Sequence, residues 1–325
     1  MVYGEYIVSA QVDLVQALAK KLPNTLQSIY LTNSGTEATE GAMKLAKRFT
    51  GRTGFISFKN AYHGSTQGAL SICGNENLKN AFRPLLPDHR IIDYNSQDQL
   101  EFIDENTAAV FIEAIQAEAG IILPEKGFLE KVRNRCNEKK ALLVFDEIQT
   151  GMGRTGKLFA FNETNVIPDI LLLGKAFGGG MPLGAFVSSN EIMSTLTFDP
   201  ILGHLTTSGG HPVSCAAALA SLQILSKNEI LESVIKKGEL FRKLLKHSNI
   251  KSFRGRGLLL AIEFENEVIN QKVIQLCFEK GLLTDWFLFS PFCLRIAPPL
   301  IISEEEVRKA CSIVLEAIEE AGTKG

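Results

Sequence analysis

The feature that most restricts the fold of this 325-residue chain is a repeated alternation of short apolar runs with amphipathic stretches. Residues 108–115, 141–147 and 169–174 are apolar at almost every position, whereas 37–50 and 127–140 place their apolar residues on one face of a helix. Strands that are apolar throughout are typical of parallel or mixed sheets covered on both faces. We therefore predict an α/β fold, with further strands at 28–33, 53–59 and 185–189.

The pattern changes after Pro212. Long helices are predicted over 213–227 and onward to residue 246, and a strand, a helix, a strand and a final helix follow at 254–265, 268–281, 292–300 and 303–321. Ser303 and Glu306 have the spacing of a capping box, which marks the start of the last helix. We interpret this tail as a smaller α+β domain, and divide the chain into a large domain at 1–212 and a remainder at 213–325.

The composition argues against several classes of function. Charged residues make up 22% of the chain and its net charge is −2, with Lys and Arg scattered, so neither nucleic acid nor a membrane surface is indicated as a partner. No apolar run approaches the ~18–20 residues of a membrane span, and the first residues lack the basic region of a signal peptide. Six widely spaced cysteines without a CxxC pair indicate reduced thiols and a cytoplasmic location.

Two polar motifs follow predicted strands in the first part of the chain. NSGTEATEG (33–41) opens a helix, where unpaired N–H groups and hydroxyls can hold a phosphate; an ordinary capped helix start is the alternative. NAYHGST (60–66) places Tyr62 and His63 on a loop at a sheet edge; the alternative is a turn with a half-buried tyrosine.

Two charged groups come directly after later strands. ALLVFDEIQTGMGRTG (141–156) carries an apolar strand into Asp146, and DILLLGKAFGGGMPL (169–183) carries another into Lys175. The carboxyl ends of parallel strands are where ligands bind in open α/β sheets. The alternatives are a carboxylate that caps a turn and a lysine that extends into water.

Together, these groups match the needs of pyridoxal phosphate. Its aldehyde condenses with a lysine amine, its phosphate requires N–H and hydroxyl donors, and its ring requires an aromatic face. Its pyridine nitrogen needs a carboxylate to stay protonated. We therefore predict that Lys175 forms the internal aldimine and that Asp146 binds the pyridine nitrogen.

The same motifs resemble those of class III (ω-type, ornithine- and acetylornithine-like) pyridoxal-phosphate aminotransferases of fold type I. The matching stretches run in order through the chain: NSGTEA, YHG, IEAIQAEAG, DEIQTGMGRTG, DILLLGKAFGGGMPLGA, TTSGGHP, RGRGL and LRIAPPL. The resemblance implies a large domain with a mostly parallel seven-stranded sheet, a smaller C-terminal domain, and a homodimer with shared active sites.

The resemblance also implies roles for individual positions. Lys175 would move the proton during transamination and Asp146 would hold the ring nitrogen. The cofactor-binding residues would be Ser34, Gly35 and Thr36 at the phosphate, Tyr62 and His63 at the ring, Gln149 at the ring hydroxyl, and Thr207 at the phosphate of the neighbouring subunit. On the substrate side, Glu118 resembles a gating glutamate, and Arg295 resembles an arginine that clamps a carboxylate.

The sequence departs from the family pattern at several places, among them alanines in the segment that corresponds to EP-x-QGE-x-G. Ser65 stands where ornithine and acetylornithine members carry an arginine, and His211 replaces the asparagine of TxGGNP. Members also carry a further segment before the residues that match YGEY, and that segment helps to build the small domain and the substrate pocket.

These observations predict an aminotransferase that moves an amino group from an amino acid or ω-amino donor to a 2-oxo acid, 2-oxoglutarate or pyruvate, in ping-pong half-reactions. An aminomutase on the same scaffold is the alternative, but Arg295 and Glu118 favour an external dicarboxylate acceptor. Lys175, Asp146 and Gln149 together argue against a non-catalytic binding protein. The chain has no Walker loop or GxGxxG motif that would indicate a nucleotide-binding module.

Overall fold

The computed structural model describes residues 3–227 and 229–322, and the chain separates into two compact units. The first unit comprises the described residues up to Ala114, together with Pro124–Met152 and Ala160–Ser226. The second comprises Ile115–Leu123, Gly153–Phe159 and the described residues from Lys227 onward. The predicted boundary between the domains, after residue 212, differs from the bounds of these two units. The division into 1–212 and 213–325 stays a prediction.

The first unit is built on a seven-stranded sheet. Its strands are β1 (Ser28–Thr32), β2 (Gly54–Phe58), β3 (His89–Ile92), β4 (Thr107–Glu113), β5 (Leu142–Asp146), β6 (Ile170–Leu173) and β7 (Gly184–Ser188). They are ordered β1-β7-β6-β5-β4-β2-β3; β7 is antiparallel to both neighbours, and the pairs from β6 to β3 are parallel. The predicted α/β class and the mostly parallel seven-stranded sheet are confirmed.

Helices cover this sheet with the apolar faces that the sequence predicts. They are α1 (Ser9–Ala19), α2 (Gly35–Thr50), α3 (Gln67–Ser71), α4 (Phe128–Lys139), α5 (Asn190–Ser194) and α6 (Pro212–Leu225). Four α2 residues predicted to share one face, Ala38, Ala42, Leu45 and Ala46, are fully buried in the core together with the sheet. Every residue of β4 and β5 is buried, as expected for central strands.

The second unit contains a four-stranded antiparallel sheet and three helices. The strands are β8 (Ser252–Arg256), β9 (Leu259–Glu263), β10 (Asp285–Phe287) and β11 (Ser290–Ile296), ordered β10-β11-β9-β8, and the helices are α7 (Glu229–Leu244), α8 (Glu267–Glu279) and α9 (Glu304–Gly322). The predicted capping box is present: the Glu306 N–H donates to Ser303 Oγ at 3.1 Å, and the Ser303 N–H donates to Glu306 Oε2 at 2.7 Å.

Some predicted elements were wrong. The strand predicted at 254–265 is a hairpin, because Gly257 adopts φ +55 and a Cβ there would lie 2.5 Å from the Thr155 backbone. The edge strand β3 was not predicted, because His89 and Arg90 interrupt its apolar pattern. The three-residue strand β10 was also missed. In the part of the chain that the structure describes, no helix is long and apolar enough to cross a membrane.

Candidate active site

Lys175 lies two residues beyond the end of the buried strand β6, after Gly174. It enters a short 3-10 turn, Lys175–Gly178, with φ +46, and its side chain is exposed. Its Nζ donates to Oε1 of Gln149 at 2.6 Å. A Cβ on the preceding residue, Gly174, would lie 3.1 Å from the Cα of Gly35. The end of β6 therefore lies against the start of α2, which brings the lysine and the predicted phosphate motif close together.

Asp146 ends the neighbouring strand β5 and is 5% exposed. Its Oδ1 accepts from the Ile148 N–H at 3.0 Å, and its Oδ2 lies 2.7 Å from Nδ1 of His63. A carboxylate oxygen has two lone pairs, so each oxygen of Asp146 can accept one more hydrogen bond. The structure thus brings Asp146 and His63 together, as it does Lys175 and Gln149.

His63 is 1% exposed and has opposing influences on its pKa. Burial lowers the pKa of the imidazole, but the hydrogen bond and charge of Asp146 and the charge of Glu113 raise it, and the net direction is upward. Its Nε2 has no hydrogen-bond partner among the described residues. The raised pKa favours the imidazolium form of His63, with its positive charge next to the Asp146 carboxylate.

Glu113 is a buried carboxyl that the sequence interpretation missed. It ends β4, is paired in register with Asp146, and its Oε1 accepts from the Tyr62 N–H at 3.3 Å. Tyr62 itself is half-buried. The position of Glu113 at the end of an apolar strand was the same signal that identified Asp146, and it could have been used here.

The start of α2 forms the predicted phosphate motif. The Ser34 hydroxyl accepts from the Glu37 N–H at 3.3 Å, which makes Ser34 the N-cap, and Gly35 and Thr36 are the first helical residues. The N–H groups of Gly35 and Thr36 have no intrahelical acceptor, so they are available to an anion. Gly64, at φ +130, passes so close that a Cβ there would lie 2.3 Å from Thr36 Oγ1.

A chain of hydroxyl groups next to this helix start was not predicted. Thr66 Oγ1 donates to Glu40 Oε1 at 2.5 Å and lies 2.8 Å from Thr36 Oγ1. Glu40 also accepts from the N–H groups of Gly68 and Ala69, at 2.8 and 3.0 Å. Because the Thr66 hydrogen is used on Glu40, the Thr36 hydroxyl is the donor to Thr66. These contacts join residues distant in sequence, and no local motif signals them.

Glu147 is a second buried carboxyl that was missed. It is 1% exposed, and it accepts from the N–H groups of Ala160 and Phe161, both at 2.7 Å, and from Thr150 Oγ1 at 3.1 Å. Burial nevertheless raises its pKa to about 7. Glu147 therefore links the loop that carries Gln149 to the 3-10 turn Ala160–Glu163.

Thr207 is exposed and is not hydrogen-bonded to Ser34, Gly35 or Thr36 within the described ranges. Its carbonyl accepts from the Tyr3 N–H at 3.3 Å. The adjacent Thr206 is the residue that contacts the first motif: its Oγ1 accepts from Asn33 Nδ2 at 3.1 Å. In a single chain, the predicted phosphate residues are therefore not all brought together.

Glu118 and Arg295 form a bidentate ion pair in the second unit. Arg295 Nη1 and Nη2 donate to Glu118 Oε1 and Oε2 at 3.0 and 2.8 Å. The guanidinium also donates to the Trp286 carbonyl and lies 4.6 Å above the Phe287 ring. The pairing of these two predicted substrate residues explains how a cation and an anion can both be partly buried there.

Comparisons with known proteins agree on one family. The family model described as class-III aminotransferase matches residues 2–318. The acetylornithine aminotransferase of Methanopyrus kandleri is 37% identical over 320 residues, which cover 98% of this chain and 81% of that protein.

Two solved structures resemble the fold closely. The ornithine aminotransferase of Toxoplasma gondii superposes with a TM-score of 0.92 at 31% identity, covering 100% of this chain and 80% of that one. The adenosylmethionine-8-amino-7-oxononanoate aminotransferase of Methanocaldococcus jannaschii has a TM-score of 0.87 at 30% identity, covering 98% and 81%.

Proposed function

The chain belongs to the class-III aminotransferase family, and from this we propose how its own residues carry out transamination. The protein is a transaminase of amino-acid metabolism that moves an amino group from a donor to a 2-oxo acid. The aminomutase alternative is not favoured, because the similar proteins are named as aminotransferases or transaminases.

The proposed cofactor is pyridoxal phosphate, on which this family depends. Three structural features support the fit. The side chain of Lys175 is exposed, and the carboxylate of Asp146 has lone pairs that accept no hydrogen bond from the described residues. Gly35 and Gly64 have no side chain next to Thr36, so their backbone is accessible to a phosphate. The residues that would hold the cofactor are Ser34, Gly35 and Thr36 at the phosphate, Tyr62 and His63 at the ring, and Asp146, Gln149 and Lys175 around it.

The chemistry of the bound cofactor is the withdrawal of electrons from the substrate carbon that loses its proton. Asp146 supplies a negative charge to the ring nitrogen, and His63 stabilises that charge from a buried position. Lys175 removes the proton and returns it, with its Nζ oriented by Gln149. The first turn of α2 binds the phosphate through backbone N–H groups.

The observation that carries this proposal is that Asp146 ends β5, while Lys175 lies two residues beyond the end of the neighbouring strand β6. Reduction of the purified holoenzyme with borohydride tests it, followed by peptide mass spectrometry. The mass of the cofactor should appear on Lys175; its appearance on another lysine would refute the assignment. The Lys175→Ala variant should still bind cofactor, whereas its turnover should fall by about 10²- to 10⁴-fold.

For the substrate, we propose a donor of the amino-acid or ω-amino-acid class and 2-oxoglutarate or pyruvate as acceptor. The names of similar proteins, acetylornithine and ornithine aminotransferase, support this class. Arg295 would bind a substrate carboxylate when Glu118 releases it. Ser65, which replaces an arginine of the family pattern, removes one carboxylate contact. Absorbance changes of the holoenzyme with a panel of amino acids and ω-amino acids would identify the donor.

We further propose a homodimer in which Thr207 completes the phosphate site of its partner. Two observations on the described residues support this role: Thr207 is exposed, and it makes no hydrogen bond to Ser34, Gly35 or Thr36. The cofactor would then bind more tightly to the dimer than to a monomer, by mass action.

A further inference from the structure

Arg254 ties the segment that carries Glu118 to the four-stranded sheet of the second unit. Its Nε–H donates to the carbonyl of Gly120 at 3.1 Å. Its Nη1 donates to Ser252 Oγ at 2.9 Å and also pairs with Glu263, which lies on β9. One guanidinium thus holds both the sheet and a carbonyl two residues beyond Glu118.

The segment around Glu118 is a small hairpin. Gln116 and Ile122 exchange two backbone hydrogen bonds, at 3.0 and 2.9 Å, and the turn between them contains Gly120 at φ +90. A Cβ at Gly120 would lie 2.7 Å from Ser290 Oγ and 3.2 Å from Arg254 Nη2. The turn therefore packs directly on β11 and on Arg254.

Glu118 is held at Arg295 from more than one side. Its carbonyl accepts from the Phe289 N–H at 3.0 Å, and its Oε2 accepts from the Leu288 N–H at 3.0 Å as well as from Arg295. Since both terminal nitrogens of Arg295 bind Glu118, a substrate carboxylate can take a bidentate position on Arg295 only by displacing Glu118.

We propose that Arg254 is a positioning residue that determines how firmly Glu118 occupies Arg295, and so how readily Arg295 accepts a carboxylate. The link to substrate rests on the proposed function. When a site is available for only part of the time, the apparent affinity of its ligand falls by that fraction. Loosening the hairpin should therefore strengthen the binding of dicarboxylates.

Two variants and a matched control test this inference. Arg254→Lys keeps a cation beside Glu263 but has no Nε–H for Gly120, and Arg254→Met removes both contacts. The control is Arg242→Met: Arg242 donates to the carbonyls of Phe253 and Gly255 at 3.0 and 3.1 Å, so it binds the same strand as Arg254 without touching the hairpin in the described structure.

The first measurement is hydrogen exchange of the amides of residues 116–122 in the holoenzyme. Both Arg254 variants should exchange about tenfold faster, because a charge-assisted hydrogen bond to the turn is lost. Arg242→Met should leave these amides unchanged. Equal exchange in wild type and in both Arg254 variants would overturn the positioning role.

The second measurement is the calorimetric dissociation constant of glutarate, an unreactive dicarboxylate. It should fall by about fivefold in both Arg254 variants and stay unchanged in Arg242→Met. If the Arg254 variants were only partly folded, calorimetry would show fewer binding sites and an unchanged dissociation constant, and that result would overturn the inference. Glu118→Gln serves as a reference: if it does not tighten glutarate binding, the proposed substrate role of Arg295 fails, while hydrogen exchange still decides the role of Arg254.

Discussion

Nδ1 of His63 lies 2.7 Å from Oδ2 of Asp146, and the two side chains are 0% and 5% exposed. With so little water nearby, each group depends on the other for stabilisation of its charge. Glu113 adds a second negative charge at the same end of the neighbouring strand β4 and raises the pKa of His63 further. The carboxylate proposed to act on the cofactor is therefore part of a buried charge cluster.

Asp146→Asn should separate the electronic role of this residue from its role in binding. The amide keeps the shape of the side chain but removes the charge, so turnover should fall by about a hundredfold or more. Cofactor affinity should fall far less, because the start of α2 is unchanged. Steady-state kinetics and cofactor titration check this, and near-native turnover would refute the electronic role.

Glu147 should make stability depend on pH. A glutamate titrates near 4.5 when unfolded and at about 7 in this fold, so folding takes up a proton between these values. Stability from this group is therefore greatest at low pH and is lost as the pH rises to about 7. The free energy of unfolding of wild type, relative to Glu147→Gln, should fall from pH 5 to pH 8 at a fixed cofactor concentration. If the difference between the two free energies of unfolding does not change from pH 5 to pH 8, Glu147 stays ionised throughout that range.

Gly64→Ala should damage the proposed phosphate site. Its φ of +130 strains a side chain, and the new Cβ would lie 2.3 Å from Thr36 Oγ1. Gly51→Ala is a matched control, because Gly51 also has a positive φ, of +68, but nothing lies within 4 Å of its Cβ position. Affinity for pyridoxal phosphate should fall in Gly64→Ala and not in Gly51→Ala. A similar loss of affinity for pyridoxal, which lacks the phosphate, would place the defect elsewhere.

Mixed dimers should reveal whether Thr207 acts on the partner. Lys175→Ala and Thr207→Arg should each be inactive alone. If the site is shared, hybrid dimers place both lesions in one site and neither in the other, so random mixing should restore about a quarter of the wild-type activity. Absence of recovery, with hybrids confirmed by native mass spectrometry, would contradict a shared site.

The parts of the fold that the sequence predicted are those governed by local patterns. Strands β5 and β6 are continuous apolar runs, and α2 has a clear apolar face, so their type and order follow from periodicity. The strand ends then indicated Asp146 and Lys175, because ligands bind at the carboxyl ends of strands in open α/β sheets. The edge strand β3 has no such pattern, since His89 and Arg90 interrupt its apolar residues.

The supporting contacts of the site could not be predicted in the same way. Glu147 and Asp146 are adjacent in sequence, but only the fold determines which of them meets His63 and which meets the turn at Ala160. The contact between Arg254 and Gly120 joins residues that are far apart in the chain. Such pairs depend on tertiary packing, and no periodic pattern in the sequence predicts them.

The backbone of Lys175 has a consequence for how this protein responds to selection. A side chain at φ +46 costs about 1 kcal/mol or more compared with a favoured conformation, and glycine avoids most of that cost. A laboratory evolution experiment that rewards heat resistance alone should therefore enrich glycine at position 175. Its most heat-resistant survivors should be inactive, because a small gain in stability at this residue removes the amine that we propose for turnover.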